Sequence, residues 1–160
     1  MFRTRRLTTA LHVPRPLDEV FPFFADAGNL QRITPPWLDF EIVTPRPIPM
    51  HAGALIDYRL RLGGLPMRWR TIIEVWDPPT GFVDLQLRGP YLLWRHTHTF
   101  EAVEGGTVCR DQVDYRVLGG YPVERLFVRP QLTRIFTHRQ HATLAAFGAP
   151  PDPSIRVSFQ

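Results

Sequence analysis

Through the middle of the chain, apolar and polar residues alternate with a period of two. Successive side chains on a strand point to opposite faces, so this pattern predicts strands near 39–44, 54–62, 65–76, 82–88, 92–103 and 107–118. Gly63-Gly64, Gly89-Pro90 and Gly105-Gly106 fall between strands and mark hairpins. Before them, the first dozen or so residues alternate as one more strand, with Leu7, Thr9, Leu11 and Val13 on one side. The segment PRPLDEVFPFFAD then begins a short helix, with Pro16 in an early turn and Asp18 and Glu19 at its positive end. GNLQRITPP follows as a second short helix or turn, stopped by Pro35 and Pro36. After Gly119-Gly120 the period becomes helical from Val123 to Phe147, with Val128, Leu132, Ile135, Phe136, Ala142 and Phe147 facing inward. Pro130 kinks this helix or marks its start, and Gly148 and Pro150 end it. The order predicts an α+β fold of about seven strands, with one long helix covering the apolar face of an antiparallel meander. One domain is expected over residues 1–148, and the tail 149–160 is expected to be irregular and outside the core.

The hairpins indicate which residues face inward. With Gly63-Gly64 as a two-residue turn, Tyr58 faces Trp69 and Ile56 faces Thr71. The inward set on this hairpin is Ile56, Tyr58, Leu60, Met67, Trp69, Ile73 and Val75, while Arg59, Arg61, Arg68, Arg70 and Glu74 face water. With Gly105-Gly106 as the next such turn, Phe100 pairs with Asp111, His98 with Val113, His96 with Tyr115 and Trp94 with Val117. One face then carries Trp94, His96, His98, Phe100, Cys109, Asp111, Val113 and Tyr115. The other carries Arg95, Thr97, Thr99, Glu101, Arg110, Gln112 and Asp114, and is the solvated one. The strand FVDLQLR reads two ways. Simple patterning puts Val83, Leu85 and Leu87 inside, whereas a turn at Gly89-Pro90-Tyr91 pairs Asp84 with His96 and Gln86 with Trp94.

Composition narrows the function. No apolar run is long enough to span a bilayer as a helix. The basic N-terminus has no continuous apolar stretch, so no signal peptide is expected and the expected location is cytoplasmic. The one cysteine, Cys109, excludes an intrachain disulfide and a multi-thiolate metal site. The pI is about 10.0, yet the formal net charge is only +4 and every basic residue is Arg. The arginines are scattered and often lie near acids on the same strand face. Nucleic-acid binding, which calls for a basic stripe with interleaved aromatics, is not expected.

Three segments carry a family resemblance. Phe82, Asp84, Gln86, Gly89 and Pro90 form F-x-D-x-Q-x-x-G-P; Trp94, His96, His98 and Phe100 form W-x-H-x-H-x-F; Asp111, Val113 and Tyr115 form D-x-V-x-Y. Together they resemble the ligand-binding branch of the SRPBCC superfamily, the START-like, birch-pollen-allergen-like helix-grip fold related to polyketide cyclases. The resemblance extends over most of the chain. It implies a curved antiparallel sheet gripping the C-terminal helix, with a cavity between them. It also treats Phe82, Asp84 and Gln86 as a unit, which favours Asp84 facing inward.

Three kinds of chemistry compete for the histidines. His96 and His98 offer two metal ligands, with Asp84, Asp111, His138 or His141 as a third, but H-x-H alone is a weak metal signal and no metal or cofactor is expected. An Asp–His–Tyr group, with Asp84 or Asp111 orienting a histidine and Tyr115 or Tyr58 donating to a carbonyl, would serve a cyclase or aromatase. A mostly apolar pocket with few polar handles would bind a small hydrophobic or amphipathic molecule without catalysis, and this reading is favoured. Its expected ligand-binding residues are Tyr58, Trp69, Asp84, Gln86, Trp94, His96, His98, Phe100, Asp111 and Tyr115. A protein-interaction module with a filled core is the third alternative.

Overall fold

The computed structural model describes residues 2–160. Strand β1 (Arg5–Val13) is followed by helices α1 (Leu17–Ala25) and α2 (Ala27–Ile33), the 3-10 turn Pro36–Leu38 and the short strand β2 (Glu41–Ile42). Strands β3 (Leu55–Leu62), β4 (Leu65–Asp77), β5 (Gly81–Arg88), β6 (Leu93–Val103) and β7 (Gly106–Arg116) run as a meander. Helix α3 (Gly120–Val123), a π turn at Glu124–Val128 and helix α4 (Arg129–Ala146) return across the sheet before β8 (Ser158–Phe159). The sheet has the order β2-β3-β4-β5-β6-β7-β1-β8. This is the α+β helix-grip fold, with eight strands where the pattern suggested about seven.

The extra strand lies in the tail, which the pattern left wholly irregular. Leu7 pairs with Phe159, and the Arg6 and Gln160 backbones exchange hydrogen bonds of 3.0 and 2.8 Å. Ile155, Val157 and Phe159 pack against the core, so their apolar side chains are what bring the tail back to the sheet edge. The strand expected at 39–44 shrinks to two paired residues. The helical backbone runs on through Glu124–Val128 as a π turn, and Pro130, which has no N–H to donate, follows in the first turn of α4.

The β3–β4 register is as expected, with Tyr58 opposite Trp69 and Ile56 opposite Thr71. The β6–β7 register differs by two residues. Val103 pairs with Gly106, so the turn is Glu104-Gly105, and Phe100 faces Cys109, His98 faces Asp111, His96 faces Val113 and Trp94 faces Tyr115. A shift of two keeps every side chain on its expected face. Gly106 is in the strand because its backbone passes against the carbonyl of Val13, which leaves no room for a Cβ. Val75 is a correction of face. A register shift between Ile73 and Val75 turns Val75 outward, 42% exposed, and Trp76 packs against Phe21 and Phe82 instead.

The core lies between the concave sheet face and the helices. Leu132 and Phe136 of α4 pack with Leu7, Trp94, Val113 and Tyr115, and Leu144 packs with Phe21, Phe82 and Phe100. In its later turns α4 buries Gln140, Thr143 and Leu144, whereas Ala142 is only half-buried. Gly81 opens β5 pressed against β6, where a Cβ would collide with the carbonyl of His98. Gly81→Ala should therefore push β5 off β6 and cost about 1–3 kcal/mol of stability in chemical denaturation. An unchanged midpoint would mean that this close approach is not a packing constraint.

Candidate functional site

Asp84 on β5 stands opposite His96 on β6, and His98 stands opposite Asp111 on β7. The shortest bonds nevertheless run diagonally. His98 Nε2 lies 2.7 Å from Asp84 Oδ2, and His96 Nε2 lies 2.7 Å from Asp111 Oδ1. Diagonal partners on a sheet are within reach of long side chains. Here the two imidazoles stack, 3.7 Å between centroids, and each reaches past the other to the farther carboxylate. The direct pairs are looser, at 3.4 Å from His98 Nδ1 to Asp111 Oδ1 and 3.9 Å from His96 Nδ1 to Asp84 Oδ2. Thr9 on β1 donates to Asp111 Oδ2 at 2.9 Å, so four neighbouring strands converge on one polar cluster. Phe82 extends the stack by lying 4.2 Å from the His98 ring, and Trp94 meets His96 edge-on.

Carboxylates only accept, so each imidazole donates from Nε2. Burial opposes ionising Asp84, but the His98 hydrogen bond and both imidazoles hold it below its usual 3.8. Burial opposes ionising Asp111 as well, and bonds from His96 and His98 hold it well below 3.8. Burial also opposes charging His98, yet its bonds to Asp111 and Asp84 raise it above 6.5. His96 moves the other way: burial, then the charge on His98, lower it despite Asp111. These shifts favour the charged form of His98, which lies between the two carboxylates, and the neutral form of His96. Neutral His96 keeps Nδ1 bare.

Three of the four, Asp84, His96 and His98, form part of the wall of a cavity of about 170 Å³ between the sheet and α4. Tyr58, Trp69, Asp84, Trp94, His96 and His98, six of the expected site residues, line it together. Ile56, Thr71, Ile73, Tyr91, Leu132 and Phe136 complete much of the surface. Four expected residues lie elsewhere. Gln86 holds the backbone of Tyr91 through both ends of its amide, at 2.8 and 3.3 Å, and so closes the β5–β6 turn. Phe100 packs edge-on against Phe21 and, with Asp111, borders a separate space of about 20 Å³ behind the histidines. Tyr115 is fully buried and donates to Glu124 Oε1 at 2.7 Å, away from the cavity. His138 meets Trp37, and His141 lies 3.3 Å from the Asp152 carbonyl, so neither joins the quartet.

Sequence reasoning missed Arg139, Tyr91 and Glu124. Arg139 falls on the face that repeats through Leu132, Phe136 and Thr143, and that spacing was available to find it. Glu124 had no such signal: it is 2% exposed because Tyr115 and Arg129 both bond it where the helix bulges into a π turn. Burial drives the Tyr58 and Tyr91 phenols above their ordinary range and the Cys109 thiol up to about 12, so all three stay neutral. Asp84, His96 and His98 can each offer a metal-ligating atom, all within 4.8 Å of one another. The Nε2 atoms of both histidines are, however, already committed to carboxylates, and a cation would have to displace the His98–Asp84 bond.

A family model described as polyketide cyclase/dehydrase and lipid transport matches residues 13–143. No curated protein matches the sequence. Among solved structures, a nucleoside-diphosphate sugar epimerase from Corynebacterium glutamicum is 25% identical with a TM-score of 0.68 over 88% of this chain. The chain spans only 29% of that protein's length. Ara h 8.0201 is 16% identical at TM-score 0.65, with 91% of this chain and 98% of that one covered. A norcoclaurine synthase point mutant from Thalictrum, in complex with a transition-state analogue, is 14% identical at TM-score 0.66, covering 92% and 96%. At these two identities the likeness is one of fold.

The quartet's pH dependence follows from its shifts. With His98 raised, its contribution to stability is complete below 6.5 and is lost as pH rises through its folded value. The carboxylates contribute above 3.8 and lose that contribution as pH falls through their lowered values. Lowered His96 opposes folding as pH drops below 6.5. Asp111→Asn leaves an acceptor oxygen but removes the negative charge that faces both imidazoles, and should cost about 2–3 kcal/mol at neutral pH. An NMR titration should also show the His98 pKa falling. An unaltered His98 titration would contradict the coupling of His98 to Asp111.

Proposed function

The chain belongs to the polyketide cyclase/dehydrase and lipid transport family, within the SRPBCC superfamily, and from that premise we propose that it binds a small hydrophobic or amphipathic molecule non-catalytically. The observation that carries this reading is the cavity beneath α4, whose largely apolar and aromatic wall is interrupted by one cluster of polar groups. Its volume of about 170 Å³ suits a single-ring molecule better than a fused polycyclic one. A ligand of about ten non-hydrogen atoms, at about 0.7 kcal/mol each, would bind in roughly the ten-micromolar range. In this reading Asp84, His96 and His98 are polar handles, and Tyr58, Trp69 and Trp94 supply aromatic contact. Phe100, Asp111, Gln86 and Tyr115 support that wall from behind.

A cyclase- or aromatase-like reaction is the second reading, favoured by Asp84 and His98 lying on the cavity wall. Three features weigh against it. A general base works best with a pKa near the working pH, and both carboxylates are held low. His98 is held between two acceptors. Of the two expected donors, Tyr115 is bonded to Glu124, which leaves only Tyr58 on the cavity wall.

The remaining expectations stay part of the proposal. Among the described residues, no helix is long and apolar enough to cross a membrane. The lack of a nucleic-acid role is supported by outer arginines paired with acids: Arg6 with Asp114, Arg59 with Glu41, Arg70 with Asp57, Arg95 with Glu74 and Arg110 with Glu101. A cytoplasmic setting and independence of any cofactor complete the reading.

Native mass spectrometry of the purified protein, with organic extraction of whatever is bound, tests it. The expected result is a hydrophobic small molecule that is lost from Ile56→Trp, in which the indole fills the cavity while circular dichroism stays unchanged. Equal retention by the filled variant would place the ligand elsewhere and overturn the reading.

A further inference from the structure

Most ion pairs in this protein lie on the outer face of the sheet, and the half-buried Arg129 is matched to Glu124 at 3.0 Å. Arg139 is different. It is half-buried on α4 and lines both the main cavity and the small space behind the histidines. Its guanidinium carbon lies 5.4 Å over the Phe136 ring, and among the described residues it has no carboxylate or carbonyl partner. A guanidinium carries five N–H donors in a fixed planar fork. On the wall of a largely apolar cavity, donors with no protein acceptor are free to bond an acceptor that a ligand brings in.

We propose that Arg139 is the polar anchor of the cavity, and that the ligand is a compact, neutral, single-ring molecule whose carbonyl oxygen accepts from its guanidinium. The inference rests on the cavity-binding reading above and adds the ligand's chemical class. Size sets the single ring, because about 170 Å³ is close to the space known to take one benzene-sized molecule. Charge sets neutrality. Of the groups on the cavity wall, Asp84 brings one negative charge and Arg139 one positive one, so the lining is balanced before anything enters. A carboxylate ligand would add an uncompensated charge beside Asp84, and a cation would add one beside Arg139. A carbonyl satisfies the donors and leaves the balance intact. The aromatic remainder then meets Trp69 and Trp94, which stand edge to face at 5.5 Å on the same wall.

Calorimetric titration of the intact protein with acetophenone, its apolar analogue ethylbenzene and its anionic counterpart benzoate tests the proposal. Acetophenone should bind about tenfold tighter than ethylbenzene, and benzoate more weakly than acetophenone. Arg139→Met keeps the aliphatic stem over Phe136 and should erase the preference for acetophenone while leaving ethylbenzene within about twofold. Arg139→Lys, which keeps a donor, should restore part of the preference. Equal binding of acetophenone and ethylbenzene, insensitive to Arg139→Met, would overturn the anchor and leave the cavity reading standing. Tighter binding of benzoate would overturn the neutral class. Failure of all three to bind the wild-type protein would overturn the cavity reading itself.

Discussion

The hydrogen-bonded square of Asp84, His96, His98 and Asp111 is the constraint on which the rest of this structure depends. Four ionisable side chains sit on the concave face of a sheet where water is scarce, and none is tolerable alone. Each carboxylate needs an imidazole from the neighbouring strand, and the buried His98 imidazole is flanked by both carboxylates. A slip of one residue between β5, β6 and β7 would send these groups to opposite faces and leave charges unpaired. A slip of two would break the diagonal bonds. The square therefore specifies register more sharply than the apolar pattern does, since any apolar neighbour two residues away would pack almost as well. Thr9 extends that specification to β1 through Asp111.

The same square explains why a polar patch can face a ligand cavity without collapsing it. Stacking between Phe82 and Trp94 holds the imidazoles upright on the sheet, and the hydrogen bonds keep them from rotating into the void. Leu132 and Phe136 come down from α4 beside them but do not fill the space over Ile56, Thr71 and Trp69. Behind the ring stack, Phe100, Phe21 and Leu144 form a dry cluster that leaves the polar groups one open side. At the far end, Tyr115 and Arg129 are spent on Glu124, so that end of the core is closed by its own buried ion pair and contributes nothing to the cavity wall.

Much of this was legible in the sequence, and the reasons for the failures are physical. Period-two patterning is sensitive to faces and blind to even shifts, which is why His96 and His98 were placed inward correctly while the β6–β7 register was off by two. The error had a consequence: it set Asp111 opposite Phe100 instead of opposite His98. Asp84 was ambiguous on pattern alone, because Val83 and Leu85 are equally apolar, and only the family motif favoured the observed face. Gln86 shares that face, yet side-chain direction does not reveal that its amide would be used by the backbone of Tyr91. Arg139 went unremarked, although its spacing from Phe136 placed it over the sheet. Val75 failed at a bulge and the tail failed at a two-residue strand, both of them features too short to produce a period.

Binding beneath the helix is the central claim, and an NMR map of amide shifts during titration with a single-ring aromatic ketone tests it most directly. Shifts should cluster at Ile56, Trp94, His98 and Phe136, on the inner face of β3 and β6 and the adjoining face of α4. Shifts confined to the exposed apolar residues Leu118, Tyr121, Leu126 and Phe127 around the π turn would contradict it. They would indicate a surface that meets partners, and a cavity without a role.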